Sequence, residues 1–395
     1  MTNHNDIVRL IKKQIMNIIL FPLRILPVKK NRIMLVNGLS FKNAGNPKAI
    51  LECLTKNYSN VYEIYLAVED IKKNQYLKDN GVIPVKYRSF KYYMYSLTSK
   101  VFVTNSGGYS FLPMRKKQCV INTWHGGGAY KKGGLDVCEN TYAYVKDVKM
   151  TSKRTTLFLT TCKEQTDIFA RSYLIPRNRI LEIGMPRNDV FFTDNEKLRS
   201  KIKREIGLKD FEKLVLYAPT FRVKNDDQLA DTIVGDYDID VNAVCEALSE
   251  RFGSSWRFAY RLHPTIAQRD LPQFKNAINL SNYDDMQDLL LAADVLINDY
   301  SSSMWDFSFT NRPCFIFATD IEHYNKTTSF YTEMKEWPYP ISNSNEQLKE
   351  QILTFNEKQY LNKVYKHREK LGCCENGNAT ELICKKINQI CFENN

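Results

Sequence analysis

The chain has 395 residues, which corresponds to two or three domains at roughly 150 residues each. Hydrophobic residues make up 43% of it and charged residues 25%, a composition that excludes a fibrous or disordered chain and indicates a folded globular protein. The formal net charge of +12 favours an anionic partner such as acidic lipid, nucleic acid or a phosphorylated substrate. Charge alone does not choose among these three.

Residues 1–31 combine an apolar pattern with an excess of positive charge. Apolar side chains recur at helical spacing, at Ile7, Leu10, Ile11, Ile15, Ile18 and Ile19. Arg9, Lys12 and Lys13 fall largely on the other side, so the pattern predicts a basic amphipathic helix that docks on an anionic membrane surface. The alternative is a helix that caps the first domain and leaves its charges in water. The apolar run is too short to span a bilayer, so we expect a peripheral protein on the cytoplasmic face of the cell membrane.

Short β-branched or aromatic runs alternate with helical patterns along the rest of the chain. The first set occupies residues 32–195 and the second set residues 196–345, and residues 346–395 read as closing helices. Alternating strands and helices predict an α/β fold with two Rossmann-type, doubly wound domains, each built on a parallel sheet. We expect the two domains to face a central cleft at the carboxyl ends of their strands, where ligands of open α/β sheets bind.

A histidine followed by three glycines stands at the end of one predicted strand. His125 is the histidine, Gly126 and Gly127 allow the backbone to approach a ligand closely, and Lys131 adds positive charge. The spacing is not that of a P-loop. The alternative is a structural histidine, but the glycines, the lysines and the strand-end position favour a functional role.

The second predicted domain repeats this arrangement of polar residues at strand ends. His263 ends a strand before a proline, a position that a closing cleft could bring to His125; the alternative is a histidine that caps a turn. Ser301, Ser302 and Ser303 follow another strand and precede a short helix, a setting that favours phosphate binding, although Ser303 alone could be the helix cap.

Two arginines in turns offer guanidinium groups suited to phosphate oxygens. Arg187 lies near the end of the first predicted domain, and Arg222 lies near the start of the second. Taken singly, each is as well explained as an exposed ion-pair partner.

Five ordered motifs in this chain resemble the CDP-glycerol glycerophosphotransferases that build teichoic acids and related capsular polymers. The motifs are Trp124-His125-Gly126, Gly184 to Asp189, Tyr217 to Arg222, Arg261-Leu262-His263-Pro264 and Asn298-Asp299-Tyr300-Ser301-Ser302. The resemblance covers residues 32–385 and implies a GT-B-like fold, with the nucleotide on the second domain and the acceptor on the first. Many teichoic acid enzymes have Thr-Pro-Leu where this chain has Gly127-Gly128-Ala129, so the resemblance does not specify the acceptor.

The resemblance also implies an activity and a set of roles. It implies transfer of glycerol 3-phosphate from CDP-glycerol, or of ribitol phosphate from CDP-ribitol, to a hydroxyl of a lipid-linked glycan or polymer, with release of CMP. His125 and His263 are assigned as catalytic, and the acceptor side as Gly126, Gly127 and Lys131. The residues assigned to the donor phosphates and nucleotide are Arg187, Thr220, Arg222, Asp299, Ser301, Ser302 and Ser303.

No cluster of residues with metal-ligand spacing is evident in the sequence, so we expect no obligatory cofactor, although a loosely bound divalent cation stays open. Two other functions compete with this assignment. One is a GT-B glycosyltransferase that uses a nucleotide sugar, and the other is a non-catalytic basic membrane-binding protein. The basic residues follow no nucleic-acid-binding motif, so nucleic acid is not expected as a partner. The sequence leaves open glycerol or ribitol, primase or polymerase, wall or capsule pathway, and the oligomeric state.

Overall fold

The computed structural model describes residues 4–137, 140–220, 239–262, 274–321 and 329–393. It divides into two compact units. The first unit comprises Met1–Gly127, Lys132–Asp189 and Gly372–Asn395, and the second comprises Gly128–Lys131 and Val190–Leu371. The sequence placed the change of domain at residue 195, and it grouped residues 346–395 together. In the structure the last residues belong to the first unit, because their helix packs there.

A parallel sheet forms the centre of the first unit. Its strands, among the described residues, are β1 (Lys29–Val36), β2 (Glu63–Val68), β3 (Val82–Lys86), β4 (Ser99–Thr104), β5 (Cys119–Asn122), β6 (Leu157–Thr160) and β7 (Ile180–Glu182). Their order across the sheet is β3-β2-β1-β4-β5-β6-β7. The parallel α/β prediction for this region is therefore confirmed.

Helices cover both faces of this sheet. They are α1 (His4–Leu20), α2 (Gly45–Asn57), α3 (Phe90–Thr98), α4 (Tyr142–Arg154) and α5 (Lys163–Ser172), and a C-terminal helix at Ala379–Asn388 packs against α2. Successive residues of β1 point to opposite faces, so Ile33 packs with Ile50 and Ile383 while Met34 packs with Leu20 and Tyr92. Burial on both faces explains why these strands read as continuous apolar runs.

The second unit is built on another parallel sheet. Its described strands are β8 (Glu212–Tyr217), β9 (Ser255–Tyr260), β10 (Ala277–Asn279), β11 (Val295–Asn298), β12 (Cys314–Phe317) and β13 (Ile341–Ser342), in the order β10-β9-β8-β11-β12-β13. Its helices are α6 (Glu196–Glu205), α7 (Val241–Phe252), α8 (Met286–Ala292), α9 (Ser303–Ser308), α10 (Asn345–Leu353) and α11 (Glu357–Lys370), and the C-terminal helix of the first unit is α12 (Ala379–Asn388). The second predicted sheet is therefore also confirmed.

Helix α1 contacts the first unit along one side only. Leu10 and Leu20 are buried, and the side-chain amide of Asn17 donates to the carbonyl of Phe111 at 2.8 Å. The opposite side of the helix exposes a row of isoleucines, Ile7, Ile11, Ile15 and Ile18. Apolar residues therefore lie on two faces of α1. The sequence predicted a single apolar face. Among the described residues, no helix has the length and hydropathy needed to cross a bilayer.

Candidate active site

The loop after β5 holds His125 in one defined orientation. The backbone N–H of Trp124 donates to Asn122 Oδ1 at 2.9 Å, and His125 Nδ1 lies 2.9 Å from the carbonyl oxygen of Asn105, at the end of the neighbouring β4. A carbonyl oxygen only accepts hydrogen bonds, so Nδ1 carries the proton and Nε2 of the neutral ring carries the lone pair. This is the tautomer that a general base acting through Nε2 requires.

Trp124, next to this histidine, has a backbone conformation that is uncommon for a large residue. Its φ is +55°, in the left-handed region, and its ring centroid lies 4.5 Å from that of His125. The ring also packs against Phe158, Phe169 and Tyr173. Strained backbone of this kind persists only where the surroundings hold it, and it is concentrated at functional sites.

Asn46 ties this loop to the turn that contains Arg187. The Asn46 side chain is fully buried; its Nδ2 donates to the Trp124 carbonyl at 3.0 Å, and its Oδ1 accepts from the Arg187 backbone N–H at 3.1 Å. The partners of Asn46 lie 78 and 141 residues further along the chain, so no local pattern indicates the link.

The Gly184–Asp189 turn is fixed from the C-terminal segment. Glu375 accepts from the Met185 backbone N–H at 3.1 Å and from Asn188 Nδ2 at 2.8 Å. Gly184 has φ +84°, and a Cβ there would lie 2.5 Å from Glu375 Oε2, so both conformation and space require glycine. Asp189 accepts from the first N–H groups of α12, at Thr380 and Ala379, while burial raises its pKa against these hydrogen bonds.

The residues predicted for the acceptor side are divided between the two units. Gly126 and Gly127 belong to the first unit, and the Gly126 carbonyl accepts from Gln165 Nε2 at 2.7 Å. Lys131 belongs to the second unit, where it forms an isolated β-bridge with Phe330. Gln165, on α5, is a buried positioning residue that the sequence analysis did not identify.

In the second unit, two residues assigned to the donor bind each other. Asp299 is fully buried after β11, and its Oδ2 accepts from both the backbone N–H and the hydroxyl of Thr220, each at 2.8 Å. This pair joins the chain after β8 to the chain after β11. In the structure, Asp299 and Thr220 therefore shape the strand ends.

The three serines after β11 differ in their exposure. Ser303 is buried, and its hydroxyl donates to Ser301 Oγ at 3.1 Å and to Asn298 Oδ1 at 3.4 Å. Ser302 occupies the N-cap position of α9 but its side chain makes no capping hydrogen bond. Ser301 and Ser302 are half-buried. Their hydroxyls are therefore better placed than that of Ser303 to meet a ligand.

Two predicted site residues, His263 and Arg222, lie outside the described residues, so their roles stay predictions. Arg261, the first residue of the motif that contains His263, is described. It donates through Nη2 to the Tyr283 carbonyl at 3.2 Å, and burial lowers its pKa. Arg261 thus fixes the end of β9, two residues before His263.

Comparison with known proteins places these motifs in a family. Residues 18–389 match the family described as CDP-glycerol:poly(glycerophosphate) glycerophosphotransferase. The chain belongs to this family. The resemblance seen in the sequence is therefore confirmed, and the match includes both sheets and every predicted site residue.

Individual members of the glycerophosphotransferase family resemble this chain along most of its length. It is 28% identical over 371 residues to a teichoic acid glycerol-phosphate transferase of Staphylococcus aureus, covering 91% of this chain and 93% of that protein. It is 29% identical over 374 residues to a teichoic acid poly(glycerol phosphate) polymerase of Staphylococcus epidermidis. That match covers 90% of this chain but only 50% of the polymerase, so the chain spans about half of the polymerase's length.

A solved structure shows the same fold. The wall teichoic acid polymerase TagF, in a variant soaked with CDPG, superposes with a TM-score of 0.81 at 26% identity. The superposition covers 98% of both chains. The family's two-sheet architecture is thus shared over nearly the whole of this chain.

Proposed function

We propose that this chain transfers glycerol 3-phosphate from CDP-glycerol to a hydroxyl of a lipid-linked or polymeric acceptor in teichoic acid or capsular polymer synthesis. The observation that carries the proposal is the family match over residues 18–389, which spans both units and their strand-end motifs. The similarity to glycerol-phosphate transferases and polymerases of teichoic acid supports the same donor.

In the proposed reaction, His125 Nε2 acts as the general base. The acceptor oxygen forms a bond to the glycerol-bearing phosphorus, and the bond from that phosphorus to the bridging oxygen of CMP breaks. His125 takes the proton of the acceptor hydroxyl, and CMP leaves with the electron pair. The hydrogen bond from Nδ1 to Asn105 supports this role, because it keeps the lone pair on Nε2.

We assign the donor side to the second unit, in a GT-B-like division of labour. Ser301 and Ser302 offer hydroxyls at the start of α9, and Arg222 and His263 are the proposed positive groups for the pyrophosphate. Arg187 stays a candidate phosphate ligand of the first unit. Cationic side chains can stabilise the developing charge, so we propose that no metal is obligatory and expect turnover to persist in excess chelator.

The identity of the product tests this function. Purified protein is offered CDP-glycerol, CDP-ribitol or a nucleotide sugar with a lipid-linked acceptor, and the product is weighed by mass spectrometry. A mass increase of one or more glycerol phosphate units, with equimolar CMP, is the expected result. Addition of a sugar would instead select the glycosyltransferase alternative, and no turnover of any donor would favour the non-catalytic membrane-binding protein.

We propose also that α1 docks the first unit on the cytoplasmic face of the membrane. Ile18 is 72% exposed and Ile25, just beyond the helix, is 90% exposed, while Arg9 and Lys12 lie beside the apolar row. Lys13, which the sequence placed on the basic side of the helix, pairs instead with Asp147 at 2.7 Å, and Lys29 pairs with Glu63 at 3.0 Å.

Flotation with anionic vesicles checks the docking surface. Replacing Ile11 and Ile18 by aspartate should abolish flotation, because it removes apolar contact and adds repulsion. The control replaces Lys72 and Lys73, exposed on the same unit, by glutamine, which changes the net charge by the same amount. Equal flotation of the wild type and the isoleucine variant would show that α1 is only a cap on the domain.

A further inference from the structure

A pocket of about 740 Å³ lies in the first unit beside α1. Its walls come from α1, from α4 and from the loop around Gly107 and Phe111, and it extends to Trp124. No role assigned above uses this pocket as a binding cavity: Arg9 and Lys12, which line it, were assigned only to membrane contact, and it reaches Trp124, next to His125.

The charged side chains of the pocket wall are mainly cationic. Four cationic side chains line it, at Arg9, Lys12, Lys13 and Arg88, against one carboxylate, Asp147. Lys13 pairs with Asp147 at 2.7 Å, and Asp147 also accepts from the Ser110 hydroxyl. Within the described chain, Arg9, Lys12 and Arg88 form no ion pair with a carboxylate, so their charge is available to an anionic ligand.

Aromatic side chains form another part of the wall. Tyr93 and Phe111 pack edge to face, 6.2 Å apart, near α1, and Trp124 and Tyr173 do so at 4.9 Å near the loop after β5. Aromatic faces pack against the C–H groups of sugars and polyols, whereas free phosphate would need only the cations. The wall is therefore suited to a ligand that carries both phosphate and an extended polyol.

The pocket connects two parts of the proposed mechanism. Trp124, which lines it, lies against the ring of His125, with the ring centroids 4.5 Å apart. Arg9 and Lys12, which also line it, come from α1, whose Ile7, Ile11, Ile15 and Ile18 are exposed. The same pocket therefore borders both the residue next to the proposed base and the helix proposed to dock on the membrane.

We propose that this pocket binds the acceptor as a chain of polyol phosphate. Arg9, Lys12 and Arg88 contact its phosphodiester groups, the aromatic walls pack against its polyol units, and the end beside Trp124 presents the terminal hydroxyl to His125. The inference rests on the proposed function, because it names the surface that binds the polymeric acceptor of that reaction.

Steady-state kinetics with a short water-soluble glycerol phosphate oligomer, without vesicles, tests the pocket. The variant Lys12→Gln with Arg88→Gln removes two exposed charges and should raise the KM for the oligomer at least tenfold. The KM for CDP-glycerol should stay within twofold of the wild type, and the difference in oligomer KM should shrink at high salt. Lys72→Gln with Lys73→Gln removes the same charge elsewhere on the first unit and should leave both KM values unchanged.

Two results would overturn the inference. An unchanged oligomer KM in the pocket variant is the first; if that variant has also lost anionic-vesicle flotation, these cations belong to lipid headgroups. An equal rise in both KM values is the second. Oligomer binding measured at equilibrium without donor separates the two proposals: if the wild type binds the oligomer and the pocket variant does not, yet no donor is turned over, the pocket stands and the proposed function fails.

Discussion

The strand-end sites of the two units are held together in different ways. In the first unit, the loop that carries His125 is fixed by groups far apart in the chain: Asn46, Asn105 and Gln165 each donate to or accept from it. In the second unit, the turn that carries Ser301 is fixed mainly by its own neighbours, since Asn298 Nδ2 donates to the Ser301 carbonyl at 2.7 Å.

This difference corresponds to what each site has to do. A general base needs one nitrogen aimed at one oxygen, and contacts from several elements restrict the ring more than a local turn does. A phosphate site needs several donors within reach of a diffuse charge, which a short turn rich in hydroxyls provides. The two units should therefore respond differently to substitution, in turnover for the first and in donor affinity for the second.

Removing the base tests the first unit most sharply. We expect His125→Ala to lower kcat by about 10²–10⁴-fold, the usual contribution of a general base. The equilibrium affinity for CDP-glycerol should stay within twofold of the wild type, because the proposed donor groups lie on the other unit. Rapid-quench measurement of CMP release and calorimetric titration with donor give the two numbers. A kcat near that of the wild type would remove His125 from the mechanism.

The sequence predicted the central strands of both sheets because they are buried on both faces and read as apolar runs. It missed the four-residue strand β6 and the edge strands β3, β7, β10 and β13; β3 contains Pro84, and the other three edge strands have only two or three residues. Edge strands are short and partly exposed, so their local pattern is weak.

The residues of the candidate site also differ in how well the sequence predicts them. The strand-end positions of His125 and Ser301 were readable because glycines and hydroxyls mark turns in the sequence itself. The Asn46–Arg187 contact and the Asp299–Thr220 pair were not, because each joins segments that only the folded chain brings together. For the same reason the return of α12 to the first unit was not predicted.

Removing two serine hydroxyls tests the second unit. We expect Ser301→Ala with Ser302→Ala to weaken CDP-glycerol binding by about ten- to a hundredfold, the range for losing hydrogen bonds to a charged group. The single-turnover rate at saturating donor should change much less. Ser308→Ala is the matched control: its buried hydroxyl donates to the Trp305 carbonyl at 2.7 Å, so its loss should lower the melting temperature and leave donor affinity unaltered. Equal donor affinity in all three proteins would place the phosphate site elsewhere.

Breaking the long-range support of the first unit should have a mixed effect. Asn46→Ala leaves the Trp124 carbonyl and the Arg187 N–H without their partner, at a cost of about 2–4 kcal/mol in the free energy of unfolding. We expect kcat to fall and donor affinity to persist. Asn57→Ala, at the exposed end of the same helix, is the control for loss of an asparagine. Denaturant unfolding and steady-state kinetics on the same samples measure both effects. An Asn46→Ala variant with wild-type stability and normal kcat would show that Asn46 does not support the His125 loop.

The smallest effect concerns His367, which holds the short segment Gly128–Lys131 within the second unit. The His367 ring stacks on Tyr130, its Nε2 lies 3.1 Å from the Tyr130 hydroxyl, and burial lowers its pKa from 6.5 to about 4. His367 therefore takes up a proton near pH 6.5 in the unfolded chain but only near pH 4 in the folded chain. Stability due to neutral His367 is present above pH 6.5 and is lost as the pH falls through this window.

Linkage sets the size of this loss at about 2 kcal/mol between pH 7 and pH 5. We expect His367→Gln to flatten the dependence of the unfolding free energy on pH in this range, whereas Tyr130→Phe keeps the imidazole and should keep most of the slope. Urea unfolding at pH 7, 6 and 5, followed by tryptophan fluorescence, measures all three proteins, because Trp305 and Trp337 pack around Tyr130 in the second unit. The same slope in the wild type and in His367→Gln would mean that another group takes up the proton. The acid sensitivity of the second unit would then come from a residue other than His367, which anchors the segment Gly128–Lys131.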